Sequence, residues 1–307
     1  MTASNQDAAK ATTRTSMMRR FVSVLLGGAC VLALATSADA QEIQLTGPLA
    51  GAPAVRHLRK YREGRFEIAP TISFSLLDEY RRAIMAGGRL QYNITEWLGI
   101  GAWGAYGVAE PTTDLTDQID NPNTGALRKG GSPTTENINH ANTDGTGYAP
   151  FANQVAKMQW VLAVPQVQLT PFRGKLSIFQ KIFVDTDAYI HGGLGIVGLQ
   201  ERPDCGNSAG STPCTDPKSF TLASRTAVTG TFGLGLNFYI ADFLSLGVEY
   251  RALPFAWNRA GFDSRGAGPN NNFPDNKINS DDRTFKFNQM ISIAIGFSLP
   301  SKPSISD

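Results

Sequence analysis

The sequence predicts a transmembrane antiparallel up-and-down β-barrel of about eight strands. Three observations carry this. Long segments place an apolar residue at every second position, connections alternate between short and long, and the apolar face ends in aromatics while the opposite face is built of small residues. The last segment is the clearest. Phe285, Phe287, Ile291, Ile293, Ile295 and Phe297 share one face, with Gln289 the exception. Lys286, Asn288, Ser292, Ala294 and Gly296 share the other, with Met290 its one bulky apolar residue. Side chains alternate faces along a strand, so this strand is two-faced. It is about twice as long as a typical soluble strand and matches a tilted membrane crossing. At about 3.3 Å per residue and a tilt near 40°, Phe287 and Phe297 stand about 25 Å apart along the membrane normal, the height of a lipid-facing band.

Seven earlier segments show the same period. The first, Phe66 to Leu76, sets Phe66, Ile68, Pro70, Ile72, Phe74 and Leu76 against Glu67, Ala69, Thr71, Ser73 and Ser75. The second, Ile84 to Ile94, sets Ile84, Ala86, Leu90, Tyr92 and Ile94 against Arg89, Gln91 and Asn93. The third, Leu98 to Val108, is read as Gly-rich on its inner face. In the fourth, Met158 to Leu169, the apolar phase slips at Pro165, as a bulge or edge kink would cause. Asp185 to Gly198, Thr226 to Ile240 and Leu244 to Ala252 complete the set before the final strand.

Asn93 to Trp97 and Ile240 to Phe243 read as short turns, and Thr170 to Lys175 opens a connection of middle length. On the opposite side lie residues 77–82, 110–156, 199–224 and 257–283, three of them long and rich in Asn, Asp, Thr, Gly and Pro. Short periplasmic turns, long extracellular loops and an even strand count are the layout of bacterial outer-membrane barrels. A lipocalin-like soluble barrel is the alternative, but its polar face would meet water and carry many charges. Here that face is mostly small, with Gly99, Gly101, Gly104, Gly193, Gly195, Gly233, Gly235 and Gly247 assigned to it. Tyr106, Trp160, Phe243, Phe285 and Phe297 border the apolar face as interfacial girdles do.

The N-terminus reads as a secretory signal: Arg19-Arg20, an apolar run from Phe21 to Ala35, and Ala38-Asp39-Ala40 as the cleavage site. The polar stretch ahead of it leaves Met1, Met17 and Met18 as candidate starts, and an uncleaved anchor is the alternative. Cleavage divides the chain into a signal (1–40), a basic periplasmic segment (41–64), the barrel (65–300) and a tail (301–307). It removes four basic and two acidic residues, taking the formal charge from +2 to 0. With no basic excess, nucleic acid is not expected as a partner. Cys205 and Cys214 remain in the exported portion, where an oxidising compartment favours a disulfide; a metal pair is the alternative, without a nearby His.

No catalytic pattern stands out, and no cofactor, metal site or enzymatic activity is expected. His57, His140 and His191 are scattered, and the Gly-containing runs sit inside strands rather than opening a helix. The predicted lumen carries Glu67, Arg89, Asp185, Asp187, His191, Glu249 and Arg251, with Lys286 near its outer end. Charges in a narrow barrel must pair, so a structural network is one reading and a polar path for a small solute the other. Arg56 to Arg65 is a basic run ahead of the first strand, read as a solvated linker or as a contact for anionic headgroups or a periplasmic partner.

Arg65-Phe66-Glu67-Ile68-Ala69-Pro70 and Tyr92-Asn93-Ile94-Thr95-Glu96-Trp97-Leu98-Gly99-Ile100-Gly101 resemble openings in a family of outer-membrane β-barrel proteins of myxobacteria and related deltaproteobacteria. Gly174 to Phe179 and Gly247-Val248-Glu249-Tyr250-Arg251 look like its later signatures, and the resemblance covers roughly residues 55–300. It implies an outer-membrane location and little about activity; some similar barrels accompany gliding machinery. The tail after Phe297 departs from the usual terminal aromatic. The expected role is non-enzymatic, an envelope structural or partner-docking protein acting through its long loops. Its expected partners are membrane lipid and envelope proteins. A narrow porin-like channel is the alternative.

Overall fold

The period of two closes on itself: eight antiparallel strands form one barrel in sequence order, β1 to β8. This computed structural model describes residues 62–120, 151–178, 182–206, 210–266 and 275–301. The signal, residues 41–61 and residues 267–274, which hold most of the Asn-rich run Pro269 to Asn276, lie outside the described residues. The strands are β1 Phe66–Leu76, β2 Ile84–Asn93, β3 Leu98–Ala109, β4 Lys157–Ile178, β5 Ile182–Glu201, β6 Ala223–Tyr239, β7 Leu244–Trp257 and β8 Thr284–Leu299. A helix, α1 Asp114–Asp120, follows β3.

Closure is made by β1 and β8, from Phe66↔Leu299 to Leu76↔Gln289. Inside that seam the Ser73 and Ser292 hydroxyls lie 2.7 Å apart. The small residues of both strands let the seam approach closely. Outside it, Ile72 is 53% exposed and Ile293 48%. The same division runs around the barrel. Leu90, Ile100, Leu162, Ile190, Leu234 and Ile295 face outward, while Arg89, Gln91, Gln166, His191, Asn237 and Ser292 are buried. Lipid selects such an inverted surface, because apolar groups need no shielding there and closure leaves no unpaired backbone edge. The fold is a transmembrane barrel.

Four expectations change. Thr170 to Lys175 is strand, not a connection: β4 continues past the end of β3 and pairs with β5 from Phe172↔Ala188 to Ile178↔Ile182. Pro171 reads as a turn residue, but β4 has no partner on its β3 side at that level, and an edge tolerates a missing N–H. Several other strands also run longer than their sequence patterns, β7 reaching Trp257. Gly104 faces outward, packing toward Leu162, because alternation from Gly99 and Gly101 carries Trp103 and Ala105 inward. Finally, the interior is not uniformly small. Met85, Trp103, Val161, Leu199, Leu253, Phe255, Trp257 and Met290 belong to one buried apolar cluster.

Candidate functional site

The lumen is built in two layers. Near the short-turn end, β2 brings Arg89 to the centre, where its guanidinium donates to Glu67 Oε1 of β1 (2.6 Å) and Glu249 Oε2 of β7 (3.0 Å). It also contacts the Tyr189 hydroxyl, which donates to Glu249 Oε2 at 3.0 Å. Arg251 reaches the other Glu249 oxygen at 2.5 Å, and donates to Thr231 (3.0 Å) and Gln166 (2.8 Å). His191 Nε2 lies 3.5 Å from Glu249 Oε1. These side chains are all buried. Burying a charge without a partner costs several kcal/mol, roughly, so dense pairing is what makes the layer tolerable. Glycines make the room: a Cβ on Gly235 would overlap the Tyr189 ring, and one on Gly233 would crowd His191 Nε2.

Arg62 completes this layer. The basic run ahead of β1 reads as solvent-exposed, yet Arg62 and Arg65 are 3% and 5% exposed. Arg62 lies 3.2 Å from Asp187 and 3.5 Å from Glu67, and donates to the Thr170 hydroxyl at 3.4 Å. Arg65 ties the rim, donating to the carbonyls of Asp242 (2.8 Å) and Pro300 (3.1 Å). The rest of the run, residues 56–61, lies outside the described residues. Glu96, in the β2–β3 turn, accepts the backbone N–H groups of Arg62 (3.0 Å) and Glu63 (2.9 Å) and pairs with Arg173. Partial burial works to raise the Glu96 carboxyl, but the Glu63 and Arg62 N–H groups and Arg173 outweigh it and hold it below the ordinary value.

Six of the seven lumen residues read from sequence therefore meet in this layer: Glu67, Arg89, Asp187, His191, Glu249 and Arg251. Asp185 does not; it sits toward the β4–β5 hairpin, 4.0 Å from Lys175. The layer also holds Arg62, Tyr189, Gln166 and Asn237, which the sequence pattern does not single out as lumen residues. Tyr189 was legible, since it alternates with Asp187 and His191 on β5. Arg62 carried no local signal, because it precedes the strand.

Above the charged layer the filling turns apolar. Arg251 stacks over Trp103, 4.2 Å from the ring centroid, and beyond it lie Met85, Leu253, Phe255, Trp257 and Met290, each at most 4% exposed. Eight-stranded barrels are just wide enough for side chains to fill.

On the long-loop side the connections bind one another. Arg81 donates to the Ala152 carbonyl (2.7 Å), and Thr116 to the Tyr80 carbonyl (2.7 Å). Phe151 packs between Tyr80 and Phe262, both centroids 5.3 Å away. Cys205 and Cys214 form a disulfide, and Cys205 pairs with Ile278 through backbone bonds of 2.9 and 3.0 Å. Arg202 spans two loops, donating to the carbonyls of Cys214 (2.9 Å), Ser219 (3.0 Å) and Gly261 (2.9 Å) and stacking on Phe220. Burial pulls the Arg202 guanidinium down to about 9, with Asp282 opposing. Glu201 accepts from Arg283 at 2.8 Å and also pairs with Arg225. Among the described residues no group of three or more His, Cys, Asp or Glu could hold a metal ion.

No protein-family model matches the sequence, and no curated protein matches it. Among solved structures, the chain is similar to the outer membrane protein OprG of Pseudomonas aeruginosa, at 8% identity and a TM-score of 0.36 over 78% of this chain and 98% of that one. It is also similar to Neisserial surface protein A, at 9% identity and a TM-score of 0.32 over 76% of this chain and 93% of that one. A de novo designed transmembrane β-barrel gives 10% identity and a TM-score of 0.31 over 78% and 99%.

Proposed function

We propose that this chain is a non-enzymatic outer-membrane protein that acts through its cross-linked loops, as an envelope structural or partner-docking element. One observation carries the reading: two layers of different chemistry fill the lumen, the charged layer around Arg89 and the apolar layer around Leu253 and Trp257. A solute path would need open space, and the second layer is occupied by buried side chains, mostly apolar, with Asn288 and Thr229 among them. The loops, by contrast, are held together by Arg202, Phe151 and the backbone pairing of Cys205 with Ile278, while the disulfide closes one loop on itself. Loops fixed on a rigid scaffold are where binding residues concentrate, because a preformed surface loses less entropy on docking. Long loops on one side and short turns on the other support exposure of this platform outside the cell.

Planar-bilayer recording of the refolded chain from residue 41 onward tests this. Silence from demonstrably folded protein is the expected outcome. Discrete, reproducible conductance steps would overturn the closed-lumen reading in favour of a narrow channel for small solutes.

A further inference from the structure

A cleft of about 500 Å³ opens at the loop-side rim, lined by Phe74 to Asp78 at the end of β1, by Arg82 to Ile84 at the start of β2, and by Pro111. Most of its wall is apolar. Leu77 is the notable member. It holds a φ of 58°, a left-handed conformation unfavourable for a non-glycine residue, and its side chain is 77% exposed. Its exposed side chain extends the apolar wall of the cleft and is open to an apolar neighbour. Arg82 supplies the other half of the chemistry. It is exposed, and its backbone N–H ties the β1–β2 turn to the Pro111 carbonyl at 2.9 Å. The carboxylates around it have other partners: Asp78 with Arg259, Glu79 with Arg259 and Lys286, and Glu110 with Arg81 and Lys157. Asp78 also lines the cleft and attracts Arg82 electrostatically, without an ion pair to it among the described residues. An apolar wall, an exposed cation and a place at the edge of the lipid-facing band belong together in one kind of ligand.

We propose that this cleft is a binding site for a phosphorylated, acylated lipid of the outer leaflet, with acyl chain against Leu77, Phe74 and Ile84 and phosphate on Arg82. The proposal rests on the outer-membrane reading above. Acyl chains already bathe Phe74 and Ile84 in that setting, and the cleft lets one chain be held rather than exchanged. The phosphate adds an attraction that a neutral headgroup lacks.

The test is native mass spectrometry of the refolded chain from residue 41 onward, in mild detergent, titrated with diphosphorylated lipid A and with its dephosphorylated form. Insertion of each variant into vesicles is checked in parallel by protease protection. The wild type should retain one lipid A. Arg82→Glu and removal of the lipid phosphates should each weaken retention by about fivefold or more, as expected for one basic group at a headgroup. Leu77→Asp should abolish it. Equal retention by wild type and Arg82→Glu, with both inserting normally, would overturn the site and leave the outer-membrane reading standing. Displacement of lipid A by inorganic phosphate alone would overturn the lipid assignment in favour of a free-anion site. Failure of the wild type to insert would remove both readings.

Discussion

Arg251 lies over the ring of Trp103, 4.2 Å from guanidinium carbon to ring centroid, and at that contact the lumen changes from charged to apolar. The guanidinium also donates to Glu249 and Gln166 on its other side. One side chain thus belongs to both layers, bonded through its edge and stacked through its face. The interior is therefore a continuous packing of side chains, and its parts should fail together when the centre is cut.

Arg89→Ala makes that cut. It leaves Glu67 and Glu249 buried after losing bonds of 2.6 and 3.0 Å. Removing one partner of a buried ion pair costs about 3–5 kcal/mol when the remaining charge is left uncompensated. Here Glu67 keeps Arg62 at 3.5 Å and Glu249 keeps Arg251 at 2.5 Å, so the cost falls at the low end, about 3 kcal/mol. Urea unfolding of the refolded barrel, followed by heat-modifiable gel mobility, should register a loss of that size. Unchanged stability would refute a structural role for the charged layer.

Arg202→Ala should act on the loops and spare the strands. It removes donors to Cys214, Ser219 and Gly261 and leaves those carbonyls without that partner. Protease added outside intact cells should nick residues 203–222 faster in the variant, while the barrel fragment keeps its wild-type mobility. Loops equally resistant in both proteins would show that Arg202 does not hold them.

Asp263 predicts a pH dependence of the same platform. Its carboxyl is pushed up to about 6 from 3.8, first by burial and then by the neighbouring Asp282. Below pH 3.8 folded and unfolded states both hold the proton. Between 3.8 and about 6 only the folded state holds it, so stability falls as pH rises through this window and levels off above it. The loops should resist protease better at about pH 5 than at about pH 7.5, and Asp263→Asn should flatten the difference. A difference that persists in the variant would assign the effect to another group.

The barrel was legible because each strand's two faces are a local property. Phe285 and Phe297 announce a lipid face without reference to any other strand, and Glu67, Arg89 and Glu249 fall on the opposite parity by counting alone. The same counting turns Trp103 inward and Gly104 outward, because the parity set by Gly99 and Gly101 excludes position 104 from the lumen. The β4–β5 extension was hidden because a Pro such as Pro171 reads as a turn residue, and what lets it remain in a strand is the absent partner on the β3 side together with the register shift between Leu169 and Phe172.

By itself, then, the sequence determined the class of fold, the eight strands and which residues face lipid, since alternation is written into neighbouring positions. Tertiary structure alone decided which lumen residues meet. Arg62 reaches Asp187 across 125 positions, and Arg89 reaches Glu249 across 160. Such meetings depend on register and on closure of β1 against β8, and those are settled only when the whole ring forms.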